Sequence, residues 1–389
     1  MYYCGIDVAK RKHDVVIIDE VGEIQGKPLQ IANSQSGFDE LQKRLELLEG
    51  VISIGLEATG HYWLALFDAL SNAGYQLVLM NPIQIAAYRK SGIRKVKNDR
   101  KDAWWIADYL RVANLPPTDQ QTPIFLRLKE LSRFRNSLVQ RVSDLKRKMV
   151  SILDRVFPEY ETLFSNIFIK SSRTLLQEAA TAEEIAAFDL SELADILNTA
   201  SRGRFGTEKA LQIQNAAQCS VGVGFLVDAV QIEMQCLLQQ LDLLLEQIEL
   251  LEHTISEIMD EIPQHITSIP GIGPVTGAVI LGEIGDVSRF EESEQLVAYA
   301  GIDPSVYETG QFKATQAHMS KRGSPYLRQA VWQAATMAAI YDPEIKAYYK
   351  AKRKQGKAHG TAIGAVCRKL LVRIFVVLKE QRPYVVRYC

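Results

Sequence analysis

The sequence predicts an α/β domain at the front of the chain and helices from there to the end. Three observations predict it. Over residues 1–110 short apolar runs alternate with amphipathic stretches, the pattern of a layered sheet. Residues 115–225 read as mostly helical, with breaks at Pro116-Pro117, Pro158 and 201–206. From Val227 to Ile262 eleven apolar residues recur at alternating spacings of three and four.

Tyr2–Asp7, Asp14–Asp19 and Leu29–Asn33 read as three successive strands, with Gly22 and Pro28 at turns. Phe38, Leu41, Leu45 and Leu48 have helical spacing. Val51–Glu57 reads as a fourth strand, about His61 to Ala73 as a helix, and Tyr75–Met80 as a fifth strand stopped by Asn81-Pro82. A basic helical pattern starts at Ile83. This order, βββαβαβα, is that of ribonuclease-H-like folds such as RuvC resolvase.

A length of 389 residues suits two or three domains. With 47% hydrophobic and 23% charged residues the composition is that of a globular protein, not a disordered or collagen-like one. No apolar run reaches membrane-spanning length, and Asp7, Lys10, Arg11 and Lys12 interrupt any signal-peptide core. The five cysteines are scattered without a Cys-x-x-Cys pair, which argues against a disulfide framework or structural zinc and fits a reducing cytoplasm.

The net charge of −1 conceals four blocks. Residues 1–88 carry −5, 89–155 carry +10, 156–308 carry −19 and 309–389 carry +13. Two basic blocks separated by an acidic one predict a polyanion, nucleic acid, contacted from two places.

The stripe Val227, Val230, Met234, Leu237, Leu241, Leu244, Ile248, Leu251, Ile255, Ile258 and Ile262 predicts a coiled coil over 226–262, or else one helix of an intramolecular bundle. Pro263 ends it. Ile269-Pro270-Gly271-Ile272-Gly273-Pro274 then predicts a helix-hairpin-helix, whose Gly271 and Gly273 let the backbone approach a phosphate.

Four acids carry the chemistry. Asp7 ends the first strand and Glu57 the fourth, strands that are parallel neighbours in a ribonuclease-H-like sheet. Asp99 and Asp102 lie three apart at the start of a helix and share a face. Four converging carboxylates repel one another unless a cation neutralises them, and hard oxygen donors suit Mg²⁺ or Mn²⁺. A pair of such ions clamps the attacking and leaving oxygens of phosphodiester exchange. Arg89, Lys90, Arg94, Lys95, Lys97, Arg100 and Lys101 surround Asp99 and Asp102, as a site facing a phosphate backbone requires. Trp104 and Trp105 follow; core packing is expected of both, with base stacking open to Trp105.

The motifs Gly5-Ile6-Asp7-Val8-Ala9-Lys10, Glu57-Ala58-Thr59-Gly60, Asn98-Asp99-Arg100-Lys101-Asp102-Ala103, Ile269-Pro270-Gly271-Ile272-Gly273, Tyr299-Ala300-Gly301-Ile302-Asp303-Pro304 and Met319-Ser320-Lys321-Arg322-Gly323 go further together. The chain resembles the DEDD-type insertion-sequence transposases, a family that includes the Piv DNA invertases and the bridge-RNA-guided recombinases. The resemblance covers 1 to about 115 and about 263 to 370. It implies a RuvC-like catalytic domain (1–115), a helical insertion (116–225), the coil (226–262) and a transposase domain with a nucleophile loop (263–389). It implies that Asp7, Glu57, Asp99 and Asp102 bind Mg²⁺. It implies a covalent protein–DNA link and a Holliday-junction-like intermediate. The implied partners are donor and target DNA, a guide (bridge) RNA encoded by the element, and further copies of the chain in a dimer of dimers. The implied location is the bacterial cytoplasm, at the nucleoid, with no membrane partner.

One position departs from the family pattern. Where the family carries a nucleophilic serine before a glycine, this chain has Thr309-Gly310. A threonine hydroxyl is a nucleophile, though stiffer and more hindered. Three readings stay open: Thr309 attacks, Ser305 attacks instead, or the copy is slowed or inactive. Beyond it Lys321, Arg322 and Arg328 precede or open a helix, and Lys346, Lys350, Lys352, Arg353, Lys354 and Lys357 form a second candidate phosphate-contacting face. His61 and His318 flank motifs without ligand spacing. The favoured function is an RNA-guided, Mg²⁺-dependent DNA recombinase. The competitors are a hydrolytic Holliday-junction nuclease and a catalytically inactive nucleic-acid binder. A sugar-kinase-like ATPase also begins on a Gly-Ile-Asp strand, but the second glycine-rich phosphate loop is missing here.

Overall fold

In the computed structural model the first strand, β1 (Tyr2–Asp7), lies in the middle of a five-stranded sheet with β2 (Lys12–Ile18), β3 (Leu29–Ala32), β4 (Ile52–Glu57) and β5 (Gln76–Met80). The order is β3-β2-β1-β4-β5. β1 pairs antiparallel with β2 and β2 with β3, while β4 runs parallel to β1 and to β5. All residues are described except 59, 81, 92–98, 119–121, 305–307, 310, 311, 314–318 and 387–389. The side chains of 83, 91, 99, 100, 122, 308, 309, 312 and 313 are also outside the description. Two units form, Met1–Thr122 and Pro123–Cys389.

In the first unit α1 (Gln35–Glu46) starts at Ser34, whose hydroxyl accepts from the Gly37 N–H, and buries Phe38, Leu41 and Leu45. α2 (Leu64–Asn72) buries Leu66, Phe67 and Leu70. α3 spans Pro82–Ser91 and α4 spans Asp99–Ala113. α4 crosses β1, β2 and β4 and buries Ala103, Ile106, Ala107 and Leu110.

Gly5 is what lets α4 come so near. A Cβ there would lie 2.2 Å from the Ala103 carbonyl oxygen and 2.4 Å from the Ala107 nitrogen, both main-chain atoms. On β4, a Cβ at Gly55 would meet the Met80 methyl at 2.4 Å and Ile106 at 3.2 Å. These two strand glycines set the height of α4 above the sheet.

His13, on β2, is fully buried. The Ala9 N–H donates to its Nδ1 at 3.3 Å, so the ring carries its proton on Nε2. Burial pushes its pKa down, which keeps the ring neutral.

Among the described residues the regular structure of the second unit is helical apart from one short hairpin. It holds α5 (Thr122–Val156), α6 (Tyr160–Leu163), α7 (Lys170–Glu178), α8 (Ala182–Ala187), α9 (Leu190–Ser201), α10 (Thr207–Gln218), α11 (Val227–Glu261), α12 (Pro274–Ile284), α13 (Ser293–Tyr299), α14 (Pro325–Tyr341), α15 (Pro343–Lys354) and α16 (His359–Glu380). β6 (Glu308–Thr309) and β7 (Phe312–Lys313) make the hairpin.

The apolar stripe over 226–262 forms one unbroken helix, α11. Arg135 Nε donates to Glu252 at 2.8 Å, and Lys148 lies 2.8 Å from Glu233. Residue numbers rise along α5 as they fall along α11, so the two long helices are antiparallel. Toward one end Val230, Met234, Leu237, Leu238 and Leu241 join the core built on α6–α10. Toward the other, Ile255, Ile258 and Met259 join the core of α12–α16. Both ends of the seam are thus occupied within the chain, as in the bundle reading of that stripe. Between them Leu243 and Leu250 are exposed. Among the described residues no helix is long and apolar enough to cross a membrane.

Candidate active site and nucleic-acid interface

Side chains alternate along a strand, so Gly5 and Asp7 share one face of β1, and Gly55 and Glu57 share one face of β4. Gly5 lies under Ala103 and Ala107, and Gly55 under Ile106 and Leu110, which makes this the face covered by α4. Ile6 is in register with Leu56, so Asp7 and Glu57 end adjacent parallel strands. Asp102 sits one residue before Ala103 on the covering helix.

Arg89, from α3, joins two of these acids. Its Nη2 donates to Glu57 Oε2 at 2.9 Å, and its Nη1 lies 3.6 Å from Asp102 Oδ1. The side chains are 13% exposed at Glu57, 17% at Asp102 and 28% at Arg89, so the group is shielded but open to solvent on one side. Asp7 faces Asp14 across the β1–β2 pair and makes contacts of its own. Asp99 begins α4, with its side chain outside the described residues.

Among the described residues no three carboxylate, imidazole or thiol groups converge as a metal set. The donors that do meet are carboxylate oxygens, and a cation already bridges them. That chemistry fits a hard divalent ion.

Arg89 appeared in the sequence only as one member of a basic run, and no linear spacing connects it with Glu57 or Asp102. Its neighbour Tyr88 was equally silent. The Tyr88 hydroxyl donates to Asp108 Oδ2 at 2.8 Å, and Arg111 Nη2 donates to Asp108 Oδ1 at 2.7 Å. Burial, then the hydrogen bond to Asp108, pushes the Tyr88 pKa up to about 12. The Tyr88 ring packs edge-on to Trp105 at 5.6 Å, and Trp105 on Trp104 at 5.0 Å. Trp105 therefore packs on protein. Lys101 is exposed; Arg94, Lys95 and Lys97 lie outside the described residues, as does the side chain of Arg100.

In the second unit the segment expected to carry the nucleophile is tied at its base. Pro304 bridges Met319, the Ser320 N–H donates to the Asp303 carbonyl at 2.9 Å, and the Ser320 hydroxyl donates to the Asp303 carboxylate. Farther out, Thr309 pairs with Phe312 in the β6–β7 hairpin. The Thr309 side chain and all of Ser305 and His318 lie outside the described residues.

The next stretch is held rigidly. A Cβ at Gly323 would fall 1.7 Å from the Tyr299 carbonyl oxygen, so only glycine fits there. Ser324 caps α14 and its hydroxyl donates to Glu283 at 2.8 Å. Glu283, buried on α12, accepts from Arg133 Nε at 2.6 Å and Nη2 at 3.1 Å. This network ties α5, α12 and the start of α14 together. Lys321 and Arg322 are exposed beside it. Arg328, expected to contact nucleic acid, is half-buried and donates to the Ala300 carbonyl at 3.3 Å. It braces the 299–301 turn.

The two glycines of the expected helix-hairpin-helix separate. α11 and α12 are joined through residues 262–273, which include one 3₁₀ turn at Ile266–Ser268, and not by the glycine turn alone. Gly271 has φ +97°, and a Cβ there would lie 2.6 Å from the Ala338 nitrogen of α14. Packing against α14 is therefore sufficient reason for glycine at 271. Gly273 caps α12, and a Cβ there would meet nothing within 4 Å. Along α15, Lys352 stacks over Tyr348 at 5.1 Å and Arg353 donates to the Lys357 carbonyl at 2.8 Å, while Lys354 is exposed.

A DEDD transposase model of the IS110 type matches residues 4–158, and a model of the IS116/IS110/IS902 transposase family matches 263–350. The chain is similar to the pilin gene-inverting protein of Moraxella bovis, 25% identical over 98% of this chain and 97% of that one. It is also similar to the IS900 42 kDa protein of Mycobacterium paratuberculosis (26%, covering 98% and 96%) and to the IS1111A transposase of Coxiella burnetii (26%, covering 83% and 74%). With both models of one family matched, and more than half of the residues covered, the chain belongs to the IS110-type DEDD transposases, enzymes of DNA strand cleavage and transfer.

Proposed function

We propose that this transposase is an RNA-guided, Mg²⁺-dependent recombinase that cuts and rejoins DNA through a covalent threonine–DNA link. The observation that carries the metal-dependent reading is the meeting of Glu57 and Asp102 on one cationic group beside the strand end that bears Asp7. Asp7, Glu57, Asp99 and Asp102 are the residues that hold Mg²⁺ or Mn²⁺, and the ion supplies charge stabilisation at the scissile phosphate. The Thr309 hydroxyl oxygen attacks phosphorus and forms a phosphoester. The deoxyribose oxygen of the cut strand leaves and takes up a proton. The strand-end hydroxyl of the new partner then attacks the threonine phosphoester, restoring a phosphodiester and freeing Thr309. Bond number is conserved, so joining needs neither water nor a nucleotide cofactor. Ser305 is the alternative hydroxyl.

Exposed Lys101, Lys321, Arg322 and Lys354, and the open N-terminus of α12 at Gly273, contact phosphates without reading sequence. Donor and target sequences are chosen by pairing with a guide RNA from the element. Further copies of the chain complete a dimer of dimers in the bacterial cytoplasm.

With the protein, donor DNA, target DNA, Mg²⁺ and the RNA flanking its gene, joined product is expected. Omitting the RNA is expected to reduce product to the level without protein. Joining at the same sites without RNA contradicts guidance.

A further inference from the structure

We propose that Arg89 is a displaceable internal cation, holding Glu57 and Asp102 until a divalent ion takes the same oxygens. The proposal rests on the reading that these acids hold that ion. Its basis is the geometry of one side chain, whose two terminal nitrogens reach Glu57 Oε2 and Asp102 Oδ1.

Charge explains why something must stand there. Two carboxylates brought together in a shielded place repel each other. One guanidinium cancels half of that charge. A divalent cation cancels all of it and prefers the same hard oxygens. Arginine and ion therefore compete, because a positive guanidinium beside the ion would be repelled by it.

The structure makes displacement cheap for Arg89. Its Nε is buried without a hydrogen-bond partner among the described residues, so that donor loses no bond when the side chain leaves. One of the two carboxylate contacts is long, at 3.6 Å. The helix need not follow, because α3 is fastened at the preceding residue. Tyr88 bonds Asp108 and packs on Trp105 and Tyr109. A long flexible side chain next to a fixed one can swing out while the backbone stays in place.

Ion binding thus includes the cost of expelling Arg89, and removing that cost tightens binding. Mn²⁺ titrated into the full-length protein, with free Mn²⁺ followed by its electron paramagnetic resonance signal, measures this directly. Glu57→Gln is expected to weaken binding. Arg89→Gln is expected to tighten it about tenfold, the scale of a shielded but not fully buried charge pair. Its melting temperature is expected to fall without ion and to rise more than the wild type's on adding Mn²⁺. Arg89→Lys, which keeps the charge but loses the two-pronged geometry, is expected to lie between, and it decides the matter if Arg89→Gln does not fold. Affinity unchanged or weakened in the folded Arg89 variant, with Glu57→Gln still impaired, overturns the proposal and leaves the metal site standing. Unchanged binding in Glu57→Gln overturns the metal site itself, and the proposal with it.

Discussion

Asp102→Asn is expected to lower Mg²⁺-dependent strand cleavage by about 10³-fold, the scale for losing a group that stabilises transition-state charge. The substitution keeps size and removes charge. It takes a carboxylate oxygen from the face where β1 and β4 end, and leaves Glu57 as the one carboxylate paired with the Arg89 guanidinium among the described residues. Glu57→Gln is expected to act alike. The loss should appear in the rate of the chemical step, with DNA binding retained, because binding draws on exposed cations elsewhere. Asp39→Asn, half-buried on α1 where its carboxylate accepts only a local bond from Gln35 among the described residues, is the control and should cleave at the wild-type rate. A loss below threefold in Asp102→Asn, measured by single-turnover cleavage, contradicts a metal role for this carboxylate.

Gly5→Val carries the largest expected effect on stability. The added carbons enter space held by the Ala103 carbonyl and Ala107 nitrogen, and main-chain atoms of a helix cannot rotate aside. α4 must lift from β1, opening the contacts of Ala103 and Ala107 with Val16 and Ile18. Overpacking against a backbone costs about 3 kcal/mol or more. Urea denaturation should show a large fall in the midpoint for the first unit. Cleavage should fail as well, because α4 carries Asp102 and the lift separates it from Glu57. Gly5→Ala should be the milder of the two, and a Gly5→Val protein as stable as wild type would contradict the packing account.

Much of the first unit was legible because its signals are local. Alternation and turn residues marked all five strands, within two residues at each end. Strand ends named Asp7 and Glu57, and a spacing of three placed Asp102 beside Asp99. What escaped was set by tertiary packing. Arg89 reaches Glu57 across the sheet edge, a separation of 32 residues that no periodicity encodes. A heptad stripe states that a helix has a partner and not which one. α11 finds α5, about a hundred residues upstream, guided by pairs such as Arg135 with Glu252.

The second unit shows what residue type alone leaves open. Glycine at a turn fits a phosphate or a neighbouring helix equally well. Gly271 meets α14, and only Gly273 stays open. Arginine near a helix end fits DNA or a carbonyl. Arg328 bonds Ala300, and Arg353 closes the end of α15.

The central claim is that this chain joins strands through a hydroxyl–DNA link rather than hydrolysing them. Covalent trapping tests it most directly. The protein is mixed with flanking RNA, donor DNA, target DNA and Mg²⁺, denatured, and mapped for adducts by mass spectrometry. The predicted result is a nucleotide adduct on Thr309, absent from Thr309→Ala and from Asp102→Asn. Mg²⁺-dependent nicks without any adduct, under conditions where a serine-bearing relative gives one, would contradict it and make the chain a hydrolytic nuclease.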